Sequence, residues 1–401
     1  MRIAQVAPPF ESVPPARYGG TERVVSLLTE ELVRRGHDVT LFASGDSATQ
    51  ARLIPTIESA LWRMEDVQDP LPYWATTVGE VYRRARAGEF DVVHSHLDFQ
   101  AFACARLADT PTITTLHGRL DLPDLPRLYS HFSEAGVVSI SESQRGPLPE
   151  AHWLGTVYNA VDIERLPFNP HGGEYLAYLG RISPEKGLDR AIRVAQLAGL
   201  PLKVAARMPL KDTSNPSVRA DWEYYEGAIR PLLKHGHVEM IGEIGDAEKP
   251  EFLGNALALL FPIDWPEPFG LVMAEAFSCG TPVIARPCGS VPEIVTHEVT
   301  GLIGSTDEEL VAHCQAAHTI KRDVCRAEAL ARFSTTAMAQ AYEHVYRRAI
   351  AASRRARRAA TLREVVLEPA RLRQQSVTGT VPASVKGRRP ARRAFATGAG
   401  A

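Results

Sequence analysis

The chain has 401 residues, 45% hydrophobic and 23% charged. That composition excludes wholesale disorder and suits two or three domains of about 150 residues each. The net charge of −2 conceals an asymmetry: residues 347–401 carry 14 Lys and Arg against 2 acidic residues, +12, which leaves −14 on the body. An acidic body argues against nucleic acid as a partner. No run of roughly 18 uncharged apolar residues occurs, so no membrane-spanning helix is expected. Met1-Arg2-Ile3-Ala4-Gln5-Val6-Ala7 reads as a first strand, not as a secretion signal. Cys104, Cys279, Cys288, Cys314 and Cys325 form no Cys-x-x-Cys pair. Neither a disulfide framework nor a zinc site is expected, and a reducing cytoplasm fits best.

Along the chain, short apolar runs alternate with helical patterns. Arg2–Pro8 is a strand. Tyr18-Gly19-Gly20 follows, and then Val24, Val25, Leu28 and Leu32 recur at helical spacing up to the stop at Gly36. Asp38–Ala43, Asp91–His96, Thr112–Gly118 and Gly136–Ser141 are further strands. A breaker-rich linker spans Pro167 to Gly173. A second series of strands then runs through Tyr175–Leu179, Leu202–Ala206, His237–Ile241, Ala258–Pro262 and Thr281–Ala285. Alternation of this kind predicts parallel sheets built from βαβ units, an α/β chain of two domains joined near residue 165. The domains are set at 1–165 and 166–332, with a C-terminal helix at 333–349 and a basic, disordered tail at 350–401.

Two stretches carry the chemistry. In Pro262-Ile263-Asp264-Trp265-Pro266-Glu267-Pro268-Phe269-Gly270-Leu271 a strand ends, a proline-fixed loop holds Glu267, and a helix starts near Phe269. The first N–H groups of that helix have no intrahelical partner and form an anion site. Glu275 lies about one and a half turns further along. A Glu in a loop or a helix is most often solvated. Glu275, however, is flanked by Ala274, Ala276 and Phe277, and a carboxylate in an apolar helix needs a partner. In Gly180-Arg181-Ile182-Ser183-Pro184-Glu185-Lys186-Gly187 two cations follow a strand end, where open α/β sheets bind ligands. They could neutralise a diphosphate or simply pair with Glu185. Gly19 and Gly20 permit close backbone approach to a ligand, or form a tight turn. His94, His96 and His117 lie at strand ends. His117, followed by Gly118, is the better candidate for lining a cleft.

Glu267 and Glu275, separated by seven residues, lie within Pro-Glu-Pro-Phe-Gly-Leu-Val-Met-Ala-Glu-Ala. This resembles the Glu-x7-Glu signature of retaining glycosyltransferases of family 4. Leu179–Gly187 resembles that family's donor-phosphate loop. Gly19-Gly20, Thr115–Gly118, Tyr158–Asp162, Gly289–Ile294 and Thr300–Leu302 fall in the family's order. The match spans residues 2 to about 346 and implies a GT-B fold, two Rossmann-like domains facing a central cleft. By that resemblance Arg181 and Lys186 bind the donor diphosphate, and Glu267 contacts the transferred sugar. Glu275 accepts hydrogen bonds from the ribose hydroxyls. Backbone N–H groups around Phe269, Gly270 and Leu271 hold sugar or phosphate. Gly20 lets the first domain's loop close over the diphosphate, Gly19 beside it counts among the donor-binding residues, and His117 lies near sugar and acceptor. Ala206-Arg207-Met208-Pro209 departs from the glycine-containing turn of many relatives, which leaves the nucleotide base open.

The resulting expectation is a metal-independent, retaining enzyme with no cofactor. It uses a nucleoside-diphosphate sugar and an acceptor that is a lipid, a glycan or a small molecule. Alternatives are a GT-B-like nucleotide-sugar epimerase, a phosphorylase, or a non-catalytic nucleotide-sugar-binding protein. The basic tail is either a solvated extension or a contact to an anionic membrane, which would make a cytoplasmic protein peripheral to the inner face.

Overall fold

The structure is a computed structural model and describes residues 1–16, 19–211 and 216–375. Seven parallel strands form the first sheet: β1 (Arg2–Val6), β2 (Asp38–Ser44), β3 (Arg52–Ile57), β4 (Val92–Ser95), β5 (Thr112–Thr115), β6 (Gly136–Ser139) and β7 (Trp153–Thr156). Their order is β3-β2-β1-β4-β5-β6-β7. The second sheet holds six: β8 (Tyr175–Leu179), β9 (Leu202–Ala205), β10 (Val238–Gly242), β11 (Ala256–Phe261), β12 (Val283–Ala285) and β13 (Gly301–Ile303). Their order is β10-β9-β8-β11-β12-β13. Each sheet grows outward from its first strand and then jumps back beside it. The order therefore reverses between β1 and β4, and again between β8 and β11. Those are the two places where such a fold opens a crevice at the carboxyl ends of its strands.

Strand alternation decides which face each residue serves. On β1, Ile3 packs with Val24, Leu28 and Leu32 of the helix Gly20–Arg34, whereas Ala4 and Val6 face Val78, Val81 and Tyr82 of the helix Leu71–Arg86. Residues two apart share a face, so Gln5 lies on the side of Ile3. On β8 and β9, Leu176, Tyr178, Leu202 and Val204 meet Ile192 and Ala195, while Ala177 and Ala205 fall in the cluster of Met273 and Phe277. Both faces of both sheets are thus covered. Each buried Leu, Ile or Phe contributes about 1.5–3 kcal/mol.

Three strands escape the sequence reading: β3, β7 and β13. All three are sheet edges. β3 contains Pro55 and is mostly half-exposed, and β13 has only three residues. Edge strands lack the continuous apolar run that marks a buried parallel strand.

After the helix Arg322–Arg332, whose Cys325 and Ala329 belong to the second domain's core, the chain returns to the first sheet. Met338, Ala339, Tyr342, Val345 and Tyr346 of the last helix, Thr335–Gln375, pack on Ile3, Val92 and Ile113. The expected boundary at residue 349 falls inside this helix, which continues through an Ala- and Arg-rich stretch of high helix propensity. The rest of the basic tail, from residue 376, lies outside the described residues. Among the described residues no helix is long and apolar enough to cross a membrane.

Candidate active site

The second sheet's switch point is occupied by two loops. The loop after β8 carries Arg181 and Lys186, and the loop after β11 carries Glu267. Backbone contacts lock them together. Asp264 N donates to Glu185 O at 3.1 Å. Gly187 has φ +68°, and a Cβ there would stand 2.6 Å from Pro262 O, so both its dihedral and its neighbour require glycine. A third segment pins Glu267 from below: Ser290 N donates to Glu267 O at 2.9 Å, and Ser290 Oγ to Phe269 O at 2.9 Å.

Lys186 Nζ and Glu267 Oε2 form a direct ion pair, with both side chains largely shielded. Trp265 Nε1 donates to the same Oε2 at 3.0 Å, and its ring centre lies 4.7 Å from the Lys186 ammonium. Arg181 is aimed elsewhere: it donates to Glu185 Oε1 at 2.6 Å and faces Asp221 Oδ2 at 3.7 Å. The pairing with Glu185 that the sequence left open is present, and Arg181 is half-exposed beside it. Gly270, at φ +76°, leads into the helix Leu271–Ser278, and Gly280, at φ +83°, follows it. Phe269 is buried in the core that underlies the helix start.

Glu275 is 6% exposed, and its partner is a protein side chain. Lys249 Nζ donates to Glu275 Oε1 at 2.6 Å and stands 3.3 Å from Asp246 Oδ1. Burial opposes the charge on Lys249, but Glu275 beside it prevails and holds the lysine above its ordinary range. The partner that a carboxylate in an apolar helix needs is thus present within the protein itself. Nothing in Glu248-Lys249-Pro250 signals that role, because the pairing is made by the approach of two helices 26 residues apart.

The first domain meets this site through its own switch point. A Cβ on Gly20 would lie 3.5 Å from Leu271 Cδ1, and Leu271 packs against the cores of both domains. Arg23, one turn further along, pairs with Asp246 of the second domain. A Cβ on Gly19, at φ +157°, would stand 2.7 Å from Pro15 Cβ. His117 follows β5 and is tied by Nε2 to His96 Nδ1 at 2.9 Å. Burial pushes its pKa down to about 4, so the ring is neutral near pH 7. Loops from the two sheets thus bring Gly20 against Leu271 and join Lys186 to Glu267. Trp265, Lys249 and His96 are the contacts the sequence did not single out as partners.

Two parallel α/β domains whose strand-end loops meet in this way define a protein of the GT-B fold class. The description "Glycosyltransferase Family 4" matches residues 18–165, and "Glycosyl transferases group 1" matches residues 163–320. Glycogen synthase of Mycobacterium tuberculosis is 25% identical over 379 residues, covering 83% of this chain and 89% of its own. Phosphatidyl-myo-inositol mannosyltransferase of Propionibacterium freudenreichii is 27% identical over 319 residues, covering 73% and 79%. The solved structure of Anabaena HepE in complex with UDP-glucose superposes with a TM-score of 0.65 at 20% identity, covering 86% of this chain and 98% of that one. The chain is a glycosyltransferase of the GT-B type, similar to family 4 across both domains.

Proposed function

We propose that the enzyme transfers a sugar from a nucleoside-diphosphate donor with retention at the anomeric carbon and without a metal ion. The carrying observation is the Lys186–Glu267 pair beside the start of the helix Leu271–Ser278, at the switch point of the second sheet. An ammonium has three donors, and Glu267 engages one, so Lys186 can hold a phosphate oxygen while still paired. Glu267 spends Oε2 on Lys186 and Trp265, which leaves Oε1 for a sugar hydroxyl. Glu275 spends Oε1 on Lys249, which leaves Oε2 for the ribose. Arg181 and the N–H groups around Phe269, Gly270 and Leu271 complete the anion site.

In the proposed step the acceptor oxygen bonds to the anomeric carbon on the face from which the diphosphate departs. The carbon–oxygen bond to phosphate breaks, its electron pair leaves with the diphosphate, and the acceptor proton passes to a departing phosphate oxygen. Charge grows on that oxygen, and Lys186, Arg181 and the helix start are placed to stabilise it. UDP-glucose in a structural neighbour supports a nucleotide-sugar donor. The acceptor's class, whether lipid, glycan or small molecule, is open to the same experiment. Product formation from UDP-, GDP- and ADP-sugars in excess EDTA, with the anomeric configuration read by NMR, tests the proposal. Inversion, or activity only with added magnesium or manganese, overturns it.

We further infer that the exposed Arg354, Arg355, Arg357 and Arg358 on the extended last helix draw the enzyme to anionic lipid, at about 1 kcal/mol per basic residue. Replacing all four with Gln should lower sedimentation with anionic vesicles. Unchanged sedimentation rejects the inference.

A further inference from the structure

Beneath the first domain's switch point lies an unbroken chain of buried polar side chains. Gln5, His94, Thr115, Tyr342 and Tyr346 are all 0% exposed, and His96 is 2% exposed. Gln5, His94 and Thr115 come from three adjacent strands, on the face that the last helix covers. Tyr342 and Tyr346 come from that helix. The chain ends at His117, which is partly exposed.

Its polarity is set by the orientation of the Gln5 amide. Gln5 Nε2 donates to Tyr346 OH at 3.0 Å, so the amide oxygen is turned the other way. That oxygen lies 3.0 Å from His96 Nε2, which must therefore carry the proton. Burial holds His96 neutral, and a neutral imidazole has one N–H. His96 Nδ1 is then a bare acceptor, and the group facing it at 2.9 Å, His117 Nε2, must be protonated. His117 is left with a bare Nδ1. In the other direction Tyr346 OH, having accepted from Gln5, donates to His94 Nδ1 at 2.8 Å. His94 Nε2 donates to Thr115 Oγ1 at 2.7 Å, and Thr115 donates to Tyr342 OH at 2.8 Å. Each bond along the line then joins one donor to one acceptor, with His117 Nδ1 left over at its end. Turning the Gln5 amide over would reverse each bond and move the His117 proton to Nδ1.

We propose that Gln5 is a positioning residue: oriented by Tyr346 and acting through His96, it holds His117 as the Nε2–H tautomer, with Nδ1 as acceptor for a hydroxyl of the transferred sugar. The catalytic half rests on the reading that places His117 beside that sugar. The tautomer half does not. A nitrogen that accepts can orient a hydroxyl. A nitrogen that donates would turn the same hydroxyl around and compete with its other partners. The selector sits at the centre of the sheet, and its orienting group belongs to a helix that arrives from the far end of the sequence.

Selective 15N-histidine labelling reads the tautomers directly, with His94, His96 and His117 assigned by single His→Asn variants. The wild type should show Nε2–H for all three. Gln5→Met removes the selector at similar volume and should give His117 as a mixture of tautomers. Gln5→Glu keeps an acceptor toward His96 and should restore the Nε2–H form of His117. Tyr346→Phe, a milder change in the same chain, should also loosen the preference if Gln5→Met folds poorly. An Nδ1–H His117 in the wild type, or a tautomer unmoved in both Gln5→Met and Tyr346→Phe, overturns the proposal. In kinetics, Gln5→Met should lower kcat/KM roughly tenfold, the loss of one hydrogen bond, while calorimetric affinity for the free nucleoside diphosphate stays constant. An altered tautomer with unaltered kcat/KM overturns the placement of His117 beside the sugar and leaves the selector standing.

Discussion

Lys249 donates to Glu275 across 2.6 Å, and both side chains are nearly closed to solvent, at 15% and 8% exposure. The carboxylate that resembles the family's second signature glutamate is therefore already neutralised by its own protein. A ribose would bind to a half-satisfied group, not to a bare one.

Removing one partner of such a pair strands a charge. Lys249→Ala should destabilise the fold by about 3 kcal/mol. Lys249→Met combined with Glu275→Leu should recover much of that loss, because no buried charge remains. Glu275→Ala should weaken binding of the free nucleoside diphosphate by about 1.5–3 kcal/mol. Chemical denaturation checks the first two expectations and calorimetry the third. Unchanged nucleotide affinity in Glu275→Ala would remove the ribose assignment.

Lys186 and Arg181 are held in different ways, which their five-residue spacing does not show. Lys186 is fixed by Glu267 and Trp265, whereas Arg181 is half-exposed and engaged by Glu185. A preorganised donor that meets growing charge lowers the barrier, while equal binding of substrate and transition state would leave kcat alone. Lys186→Ala should reduce kcat/KM by roughly a hundredfold or more. Arg181→Ala should also reduce it, with Arg181→Lys only a partial rescue, since the planar fork is lost. Steady-state kinetics with the preferred donor decides. A Lys186→Ala enzyme of wild-type kcat/KM would exclude the lysine from leaving-group stabilisation.

The loops that frame the candidate site were legible in sequence because strand ends, breaker residues and helix starts are local events. Gly180, Pro266, Pro268 and Gly280 mark where the loops begin and end. The topology then carries those loops to the switch point, as expected for parallel α/β sheets. What local pattern cannot show is pairing across distance. Lys249 reaches Glu275 between helices, Tyr346 reaches Gln5 across 341 residues, and Glu293 takes the N–H groups of Glu142 and Ser143 from the other domain. Three of the four edge strands were missed for a related reason. A strand with one neighbour needs no apolar run, so β3 reads as loop.

The buried histidines set a limit in acid. His94 and His96 are held well below their ordinary 6.5 by burial, and His117 is held near 4. The folded state therefore refuses protons that the unfolded chain accepts, and stability is lost as pH falls below about 6.5. Each histidine adds up to about 1.4 kcal/mol per pH unit to that slope. Thermal unfolding between about pH 7 and pH 5 should show the decline. His94→Asn should lessen its steepness, even if it lowers stability at neutral pH. A slope identical to the wild type would mean that His94 is protonated in the folded state.

Glu22 works in the opposite sense. It is the third residue of the helix that begins at Gly20, 5% exposed, and burial raises its pKa from 4.5 to about 7. Its own backbone N–H opposes the shift, and the neighbouring charge of Glu11 adds to it. The folded state holds a proton that the unfolded chain releases near 4.5, so ionising Glu22 costs stability progressively as pH rises through that window. The full penalty, up to about 3 kcal/mol, is present only above the folded value. Glu22→Gln mimics the protonated form and should be nearly neutral at about pH 4, then increasingly stabilising toward about pH 8. The gain should appear in denaturant midpoints measured across that range. Because His94 and Glu22 tilt the stability profile in opposite directions, the two single variants separate their contributions. A Glu22→Gln protein that is no more stable than the wild type at about pH 8 would show that the carboxylate ionises in the fold without penalty.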